Sequence, residues 1–331
     1  MNYIHIAIAA VVAFFATALA GWFILPVLRK LKLKQMIKQD GPSWHNQKQG
    51  TPTMGGIMFI IGIFLAVVAA AIGQILKGDT ELLRMLIMPL GFGAIGFIDD
   101  FTKVIKKQNM GLTASQKMLF QIIVTAVYLL AMYLSGSMTT QLFIPIFNVS
   151  FDIGVFYYLF AAFAIIAMVN AVNITDGIDG LATTVTMVVA VFFTAAAILF
   201  RSEATAIYSA AAVGALAGFL IFNAYPAKVF MGDTGSLFLG GIVCAMAFSL
   251  NIPLILIIIG IIYIIETLSD ILQVIYFRAT HGKRLFKMAP FHHHLEMCGW
   301  REKKIVTVFA VITAIACVFA FVTLYIYVGT I

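Results

Sequence analysis

Two adjacent carboxylates, Asp99 and Asp100, stand in the stretch GFIDDFTKV, directly after mostly apolar residues running from Leu82 to Ile98. Successive helical residues point about 100° apart, so the pair should address different partners rather than form one clamp. At the C-terminal end of a helix, each carboxylate would be disfavoured by roughly 0.3–1 kcal/mol, so something cationic is expected opposite them. Four other polar stretches interrupt the apolar chain: KQGTPTMGG (Lys48 to Gly56), NAVNITDGIDG (Asn170 to Gly180), FNAYPAKVFMGDTGS (Phe222 to Ser236) and MAPFHHHLEMCGW (Met288 to Trp300). Three of them introduce apolar segments with GTPTMGG, TDGIDG and MGDTGS. Glycines admit close backbone approach, and unpaired N–H groups at a helix N-terminus bind phosphate, so a diphosphate site follows. Helix capping by Thr51 before Pro52, or by Asp233 or Ser236, is the plainer reading of the same residues. No stretch matches a P-loop, an EF-hand or a dinucleotide fingerprint. His292, His293 and His294 are consecutive, and neither helix nor strand points neighbouring side chains the same way. They suit phosphate or carboxylate contacts better than one shared metal.

The elements that position these residues must be membrane spans. Of 331 residues, 62% are hydrophobic and 11% charged, and the mean hydropathy is +1.04, outside the range of a soluble domain. Apolar segments able to cross a core of about 30 Å begin near Ile4, Gly55, Leu82, Met118, Val155, Leu181, Ala204, Ser236, Ile252 and Ile305. The first is expected to be a retained span rather than a cleaved signal. Ten helices result, with the eighth and ninth divided at Pro253, which disfavours helix at the residue before it. The segment Phe143 to Gly154 reads as a small hairpin outside the membrane.

Basic residues orient the bundle. If the termini lie outside, the loops after the first, third, fifth, seventh and ninth helices are cytoplasmic, and only Lys77, Arg84 and Arg201 remain on the outer face. That matches the positive-inside rule. All five polar stretches then meet at the cytoplasmic surface, which is how a site is built between bundle helices. The net charge of +7 is accounted for by orientation and anionic lipid rather than nucleic acid. Cys244, Cys298 and Cys317 have neither disulfide nor zinc spacing and are expected to be packing residues. Glu266 and Asp270, four apart on one helix face within an apolar span, fit either a functional or a structural polar contact.

In GTPTMGG, GFIDDFTKV, NAVNITDGIDGLA, FNAYPAKVFMGDTGSLFLGG and APFHHHLE, in order and spacing over essentially the whole chain, the sequence resembles the phospho-N-acetylmuramoyl-pentapeptide transferases. These belong among the polyprenyl-phosphate N-acetylhexosamine-1-phosphate transferases. The resemblance implies one polytopic all-α domain over residues 1–331, a homodimer in the bacterial cytoplasmic membrane, and Mg²⁺-dependent transfer of phospho-MurNAc-pentapeptide from its UDP donor to undecaprenyl phosphate, releasing UMP. It implies Asp233 as the Mg²⁺ ligand, Asp99 as the acid that deprotonates or positions the lipid phosphate, and Asp100 as its support. Lys48, Asp179, Asn223 and Phe230 fall at nucleotide-contacting positions, with Phe230 stacking on uracil. Thr53, Lys117, Asn173, Asp176 and His292 fall at further polar positions of that site; the resemblance implies His292 as a catalytic residue beside Asp99, Asp100 and Asp233, and the others, with His293 and His294, as substrate contacts. A related transferase of GlcNAc-1-phosphate is the alternative enzyme. A cation-coupled transporter is the alternative class, but transporters place their sites near the bilayer midplane.

Overall fold

A computed structural model describes residues 1–30, 50–75, 78–106 and 110–330. The chain is 76% helical. Its helices are α1 (Tyr3–Lys30), α2 (Gly56–Ile75), α3 (Glu81–Lys106), α4 (Ala114–Leu134), α5 (Phe156–Thr175), α6 (Leu181–Leu199), α7 (Glu203–Asn223), α8 (Gly232–Ser249), α9 (Ile255–Ile259), α10 (Ile261–Ala279), α11 (Phe291–Met297) and α12 (Glu302–Thr330). Eight of these are long and apolar enough to cross a membrane: α1, α3, α4, α5, α6, α7, α8 and α12. The remaining expected segments are also helical, but α10 carries Glu266, Asp270 and Arg278, and the apolar part of α2 is shorter. The ninth expected helix is broken into α9 and α10 at Gly260, whose N–H still donates to Leu256 O. The division at Pro253 holds: α8 ends at Ser249, and Asn251 turns the chain with φ +56°.

Helix α8 is the axis of the bundle. Over its span 83% of residues are buried, against 28% in α1, α4 and α12, and a helix apolar on every side belongs in a core. Lipid tails are as apolar as the side chains, so close backbone approach rather than hydrophobic expulsion joins such helices. Helix α3 meets α8 at Gly96, where any Cβ would overlap the carbonyl of Asp233. That contact fixes the height at which the paired acids face the start of α8. The expected hairpin is present as antiparallel β1 (Gln141–Ile144) and β2 (Val149–Asp152), paired from Gln141 with Asp152 to Ile144 with Val149. Cys244 and Cys317 are buried as expected, but Cys298 is exposed, its Sγ 3.8 Å from His294 Nε2.

Candidate active site

The acids do not end α3. The helix runs on to Lys106, so Asp99 and Asp100 lie within it, only 3% and 4% exposed, and Lys103 follows on the same face at i+4 and i+3. Lys103 Nζ sits 2.5 Å from Asp99 Oδ2, 2.9 Å from Asp233 Oδ2 and 3.8 Å from Asp100 Oδ1. This is the cation expected opposite the acids, supplied by the helix itself. Lys117 of α4 adds a second ammonium 3.2 Å from Asp233 Oδ2.

The two neighbours do address different partners. Asp99 Oδ1 accepts from the Leu112 N–H at 2.8 Å, which ties the segment entering α4 to α3. There Thr113 and Gln116 form a reciprocal capping box, and the helix they start carries Lys117 to the site. Asp100 instead turns to the N-terminus of α8. Its Oδ1 accepts from Asp233 N at 3.2 Å, and its Oδ2 from Thr234 N at 2.9 Å and Thr234 Oγ1 at 2.7 Å. A carboxylate there satisfies otherwise unpaired donors at the positive end of the helix dipole. Asp100 therefore caps α8 from another helix. Gly232, with φ +70°, makes room for it: a Cβ there would come within 2.5 Å of Asp100 Oδ2 and 2.7 Å of Thr53 Oγ1.

Asp233 is not the cap; it stands in the first turn of α8, after Met231 and Gly232. Its Oδ1 accepts from Asn173 Nδ2 at 2.8 Å, and Asn173 also donates to Ser236 Oγ at 2.6 Å. Ligand atoms of Asp99, Asp100 and Asp233 all lie within 4.8 Å of one another. Of the three side chains, Asp233 keeps the most solvent contact, 19% against 4%. Asp176 is the residue that ends α5. Burial, then the charges of Asp233, Asp100 and Asp179, push its carboxyl well above the ordinary range.

The expected phosphate cradle is already occupied at two helix starts. Gly55 N and Gly56 N donate to the carbonyls of Phe230 and Met231, at 2.8 and 3.0 Å, and Phe230 N donates to Pro52 O at 2.9 Å. The GTPTMGG and VFMGD stretches thus pair with each other, and α8 is served by Asp100. Asp179 and Asn223 are likewise committed to the scaffold. Asp179 Oδ2 accepts from Ala227 N at 2.9 Å and its N–H donates to Glu302 Oε2 at 3.2 Å. Asn223 accepts from Thr183 Oγ1 at 2.7 Å and donates to Val229 O at 3.0 Å. Both hold the Tyr225–Phe230 loop against α6, which leaves Phe230 half-buried at its rim. Lys48 lies outside the described residues.

The histidines diverge, as their spacing requires, and the first two take carboxylate partners. His292 Nδ1 is 2.8 Å from Glu266 Oε2, and His293 Nδ1 is 2.7 Å from Glu296 Oε2. His294 Nδ1 accepts from Lys287 N at 3.1 Å. Lys103 and Glu302 were missed from the sequence. The i+4 spacing from Asp99 could have found Lys103, but nothing local marks Glu302, which accepts from the N–H of Asp179, 123 residues away. The intramembrane position of Glu266 marked that residue, but not His292 as its partner.

Apolar helices that gather carboxylates and ammonium groups from distant segments into one buried cluster are the build of a membrane-embedded site for a charged ligand. Residues 82–251 match the family described as Glycosyl transferase family 4, and residues 48–60 match the Phospho-N-acetylmuramoyl-pentapeptide-transferase signature 1. The chain is 47% identical over 321 residues to the phospho-N-acetylmuramoyl-pentapeptide-transferase of Clostridium perfringens strain 13, covering 96% of this chain and 98% of that one. It is 43% identical over 316 residues to the enzyme of that name from Clostridium kluyveri strain ATCC 8527, again over 96% and 98%. Against that of Clostridium botulinum strain Alaska E43 it is 45% identical over 316 residues, 96% of this chain and 95% of that one. The chain belongs to the phospho-N-acetylmuramoyl-pentapeptide-transferase family.

Proposed function

We infer that this protein is the phosphoglycosyl transferase that moves phospho-MurNAc-pentapeptide from UDP-MurNAc-pentapeptide to undecaprenyl phosphate. The phosphoanhydride bond of the donor breaks, UMP leaves with the bridging oxygen, and a new diphosphate links sugar to lipid. The observation that carries the reading is the meeting of Asp99, Asp100 and Asp233 at the α3–α8 contact, in a chain with these relatives. Three carboxylates this close suit a hard divalent cation such as Mg²⁺, which takes one or two carboxylates and completes its shell with water and substrate phosphate. Asp233, the most open of the three, with Asp99 beside it, would hold the ion; Asp100 is committed to the backbone of α8. When bound, the ion supplies charge that stabilises the transferring phosphoryl group. Lys117 and Lys103 supply further positive charge for the phosphates, and Asn173 orients Asp233. A phosphomonoester has a second pKa of about 6, so the lipid phosphate is already largely dianionic at neutral pH and Asp99 positions it more than it deprotonates it. Purified protein given undecaprenyl phosphate, Mg²⁺ and either UDP-MurNAc-pentapeptide or UDP-GlcNAc should release UMP with the first donor only. Preferential turnover of UDP-GlcNAc would overturn the choice of sugar.

The bundle crosses the membrane ten times on this reading, with α2 and the α9–α10 pair added to the eight longer spans, the site at the cytoplasmic face and both termini outside. The bias of Lys and Arg toward one set of loops supports it. The assembly implied by the family resemblance is a homodimer. Cys298, exposed and next to the histidine helix, is a native reporter of sidedness. In sealed inverted and right-side-out vesicles, an impermeant thiol reagent should reach it only from the cytoplasmic side. A Phe147→Cys substitution in the hairpin, placed in a Cys298→Ser background, should react only from outside. Labelling of both from one side would sink the topology.

Phe230 is assigned to the uracil ring. Its half-buried position at the rim of the Tyr225–Phe230 loop supports stacking, worth roughly 1–3 kcal/mol per base on an aromatic side chain. Stacking shared by ground and transition states affects KM rather than kcat. Phe230→Ala should therefore raise the KM for the UDP donor by about 5- to 150-fold and leave the Mg²⁺ dependence as in wild type. An unchanged donor KM in steady-state kinetics would remove the assignment.

A further inference from the structure

Glu266 is the one fully buried acid in α10, with none of its surface exposed, and it belongs to none of the groups described around Asp233. Its carboxylate takes both donors of a single residue. His292 N donates to Oε1 at 3.1 Å, and the ring nitrogen Nδ1 lies 2.8 Å from Oε2. A carboxylate oxygen accepts, so Nδ1 is the ring atom that carries a proton. The other ring nitrogen, Nε2, is left with a defined direction and no partner: it is buried and makes no hydrogen bond. An unpartnered buried polar atom costs about 1–3 kcal/mol, and such atoms in native structures call for an explanation.

The direction of Nε2 supplies that explanation. It faces Gly177, where any Cβ would overlap the imidazole. Gly177 follows Asp176, whose carboxyl feels the charges of Asp233 and Asp100. A chain of contacts thus runs from Glu266 through His292 to the Asp176–Gly177 turn that follows α5. Both ends of the imidazole are specified, one by a carboxylate behind it and one by a missing side chain in front. Packing alone would require neither a carboxylate in an apolar span nor a free nitrogen at its far end.

We propose that Glu266 is a positioning residue of this enzyme, which fixes the tautomer and ring orientation of His292 so that Nε2 is presented to a substrate phosphate oxygen at the Asp176–Gly177 turn. The proposal rests on the transfer reaction above. Removing the carboxylate behind a functional imidazole lets the ring turn and lose its tautomer, and outer partners of this kind are worth about 10- to 100-fold in activity.

The test is steady-state UMP release by the full-length protein in detergent, for wild type, Glu266→Gln, Glu266→Asp, His292→Ala and the Glu266→Gln/His292→Ala double variant. Size-exclusion profile and thermal melting establish that each is folded. Glu266→Gln should lower kcat by about 10- to 100-fold with the donor KM changed less than about 3-fold. Glu266→Asp, which keeps the carboxylate one methylene shorter, should recover activity to within about 10-fold of wild type. The double variant should fall no more than about 2-fold below His292→Ala, because a residue acting only through His292 has nothing further to lose. Should Gln at position 266 prevent folding, the same cycle is run with Glu266→Asp. Multiplicative losses in the cycle, or an unchanged kcat in Glu266→Gln, overturn the proposal while normal wild-type turnover leaves the reaction standing. Absence of UMP release by the wild type overturns the reaction and this inference with it.

Discussion

Asp233→Asn lowers turnover by at least about 100-fold, the scale on which removing one preorganised electrostatic contact to a transition state is felt, without unfolding the protein. Asparagine keeps the shape and one oxygen for Asn173 Nδ2, so the first turn of α8 is retained. What it loses is the charge that Lys103, Lys117 and a divalent ion would share, 2.9 and 3.2 Å from the lysines. The deficit should shrink as Mg²⁺ is raised, because part of it is weakened ion binding and mass action restores that part. Kinetics over a matrix of donor and Mg²⁺ concentrations separates the two contributions. Wild-type turnover with wild-type Mg²⁺ dependence would strip Asp233 of the ligand role.

Asp100→Ala produces a different failure, loss of stability together with activity. The side chain accepts from two backbone N–H groups and one hydroxyl at the start of the most buried helix. Removing it leaves those donors without partners where little water can reach them, at a cost of about 2–4 kcal/mol. The same change moves Asp233, whose N–H is one of the three donors, so turnover falls as the site loosens. Asp100→Asn keeps one acceptor oxygen and should fall between wild type and alanine in melting temperature. Thermal melting in detergent for the two variants, beside Asp233→Asn, checks the division of labour. If Asp100→Ala melts with the wild type while Asp233→Asn melts early, the capping role is wrong.

The helices and the list of polar stretches were legible in the sequence because both follow from composition along the chain. A run of about twenty apolar residues becomes a helix in lipid, because only the helix satisfies the backbone within a single segment. Residues such as Asp99, Asp100, Asp233 and His292 stand out because charge is so scarce elsewhere. The divergence of the two aspartates and of the three histidines was legible for the same local reason, the angle between successive helical residues. The family resemblance was carried by the same stretches. The partners were not. Sequence spacing led to glycine-rich helix starts with free N–H groups, whereas the folded chain spends those of α2 on the carbonyls of Phe230 and Met231 and those of α8 on Asp100. It placed the acids at a helix end, yet α3 continues to Lys106 and brings Lys103 back over them. It left Glu266 between two roles that its contact with His292 distinguishes. Each of these depends on the height and rotation at which one helix meets another, as Gly96 sets α3 against α8. In a lipid-soluble bundle those are decided by close packing between segments far apart in the chain, and so only the tertiary structure contains them.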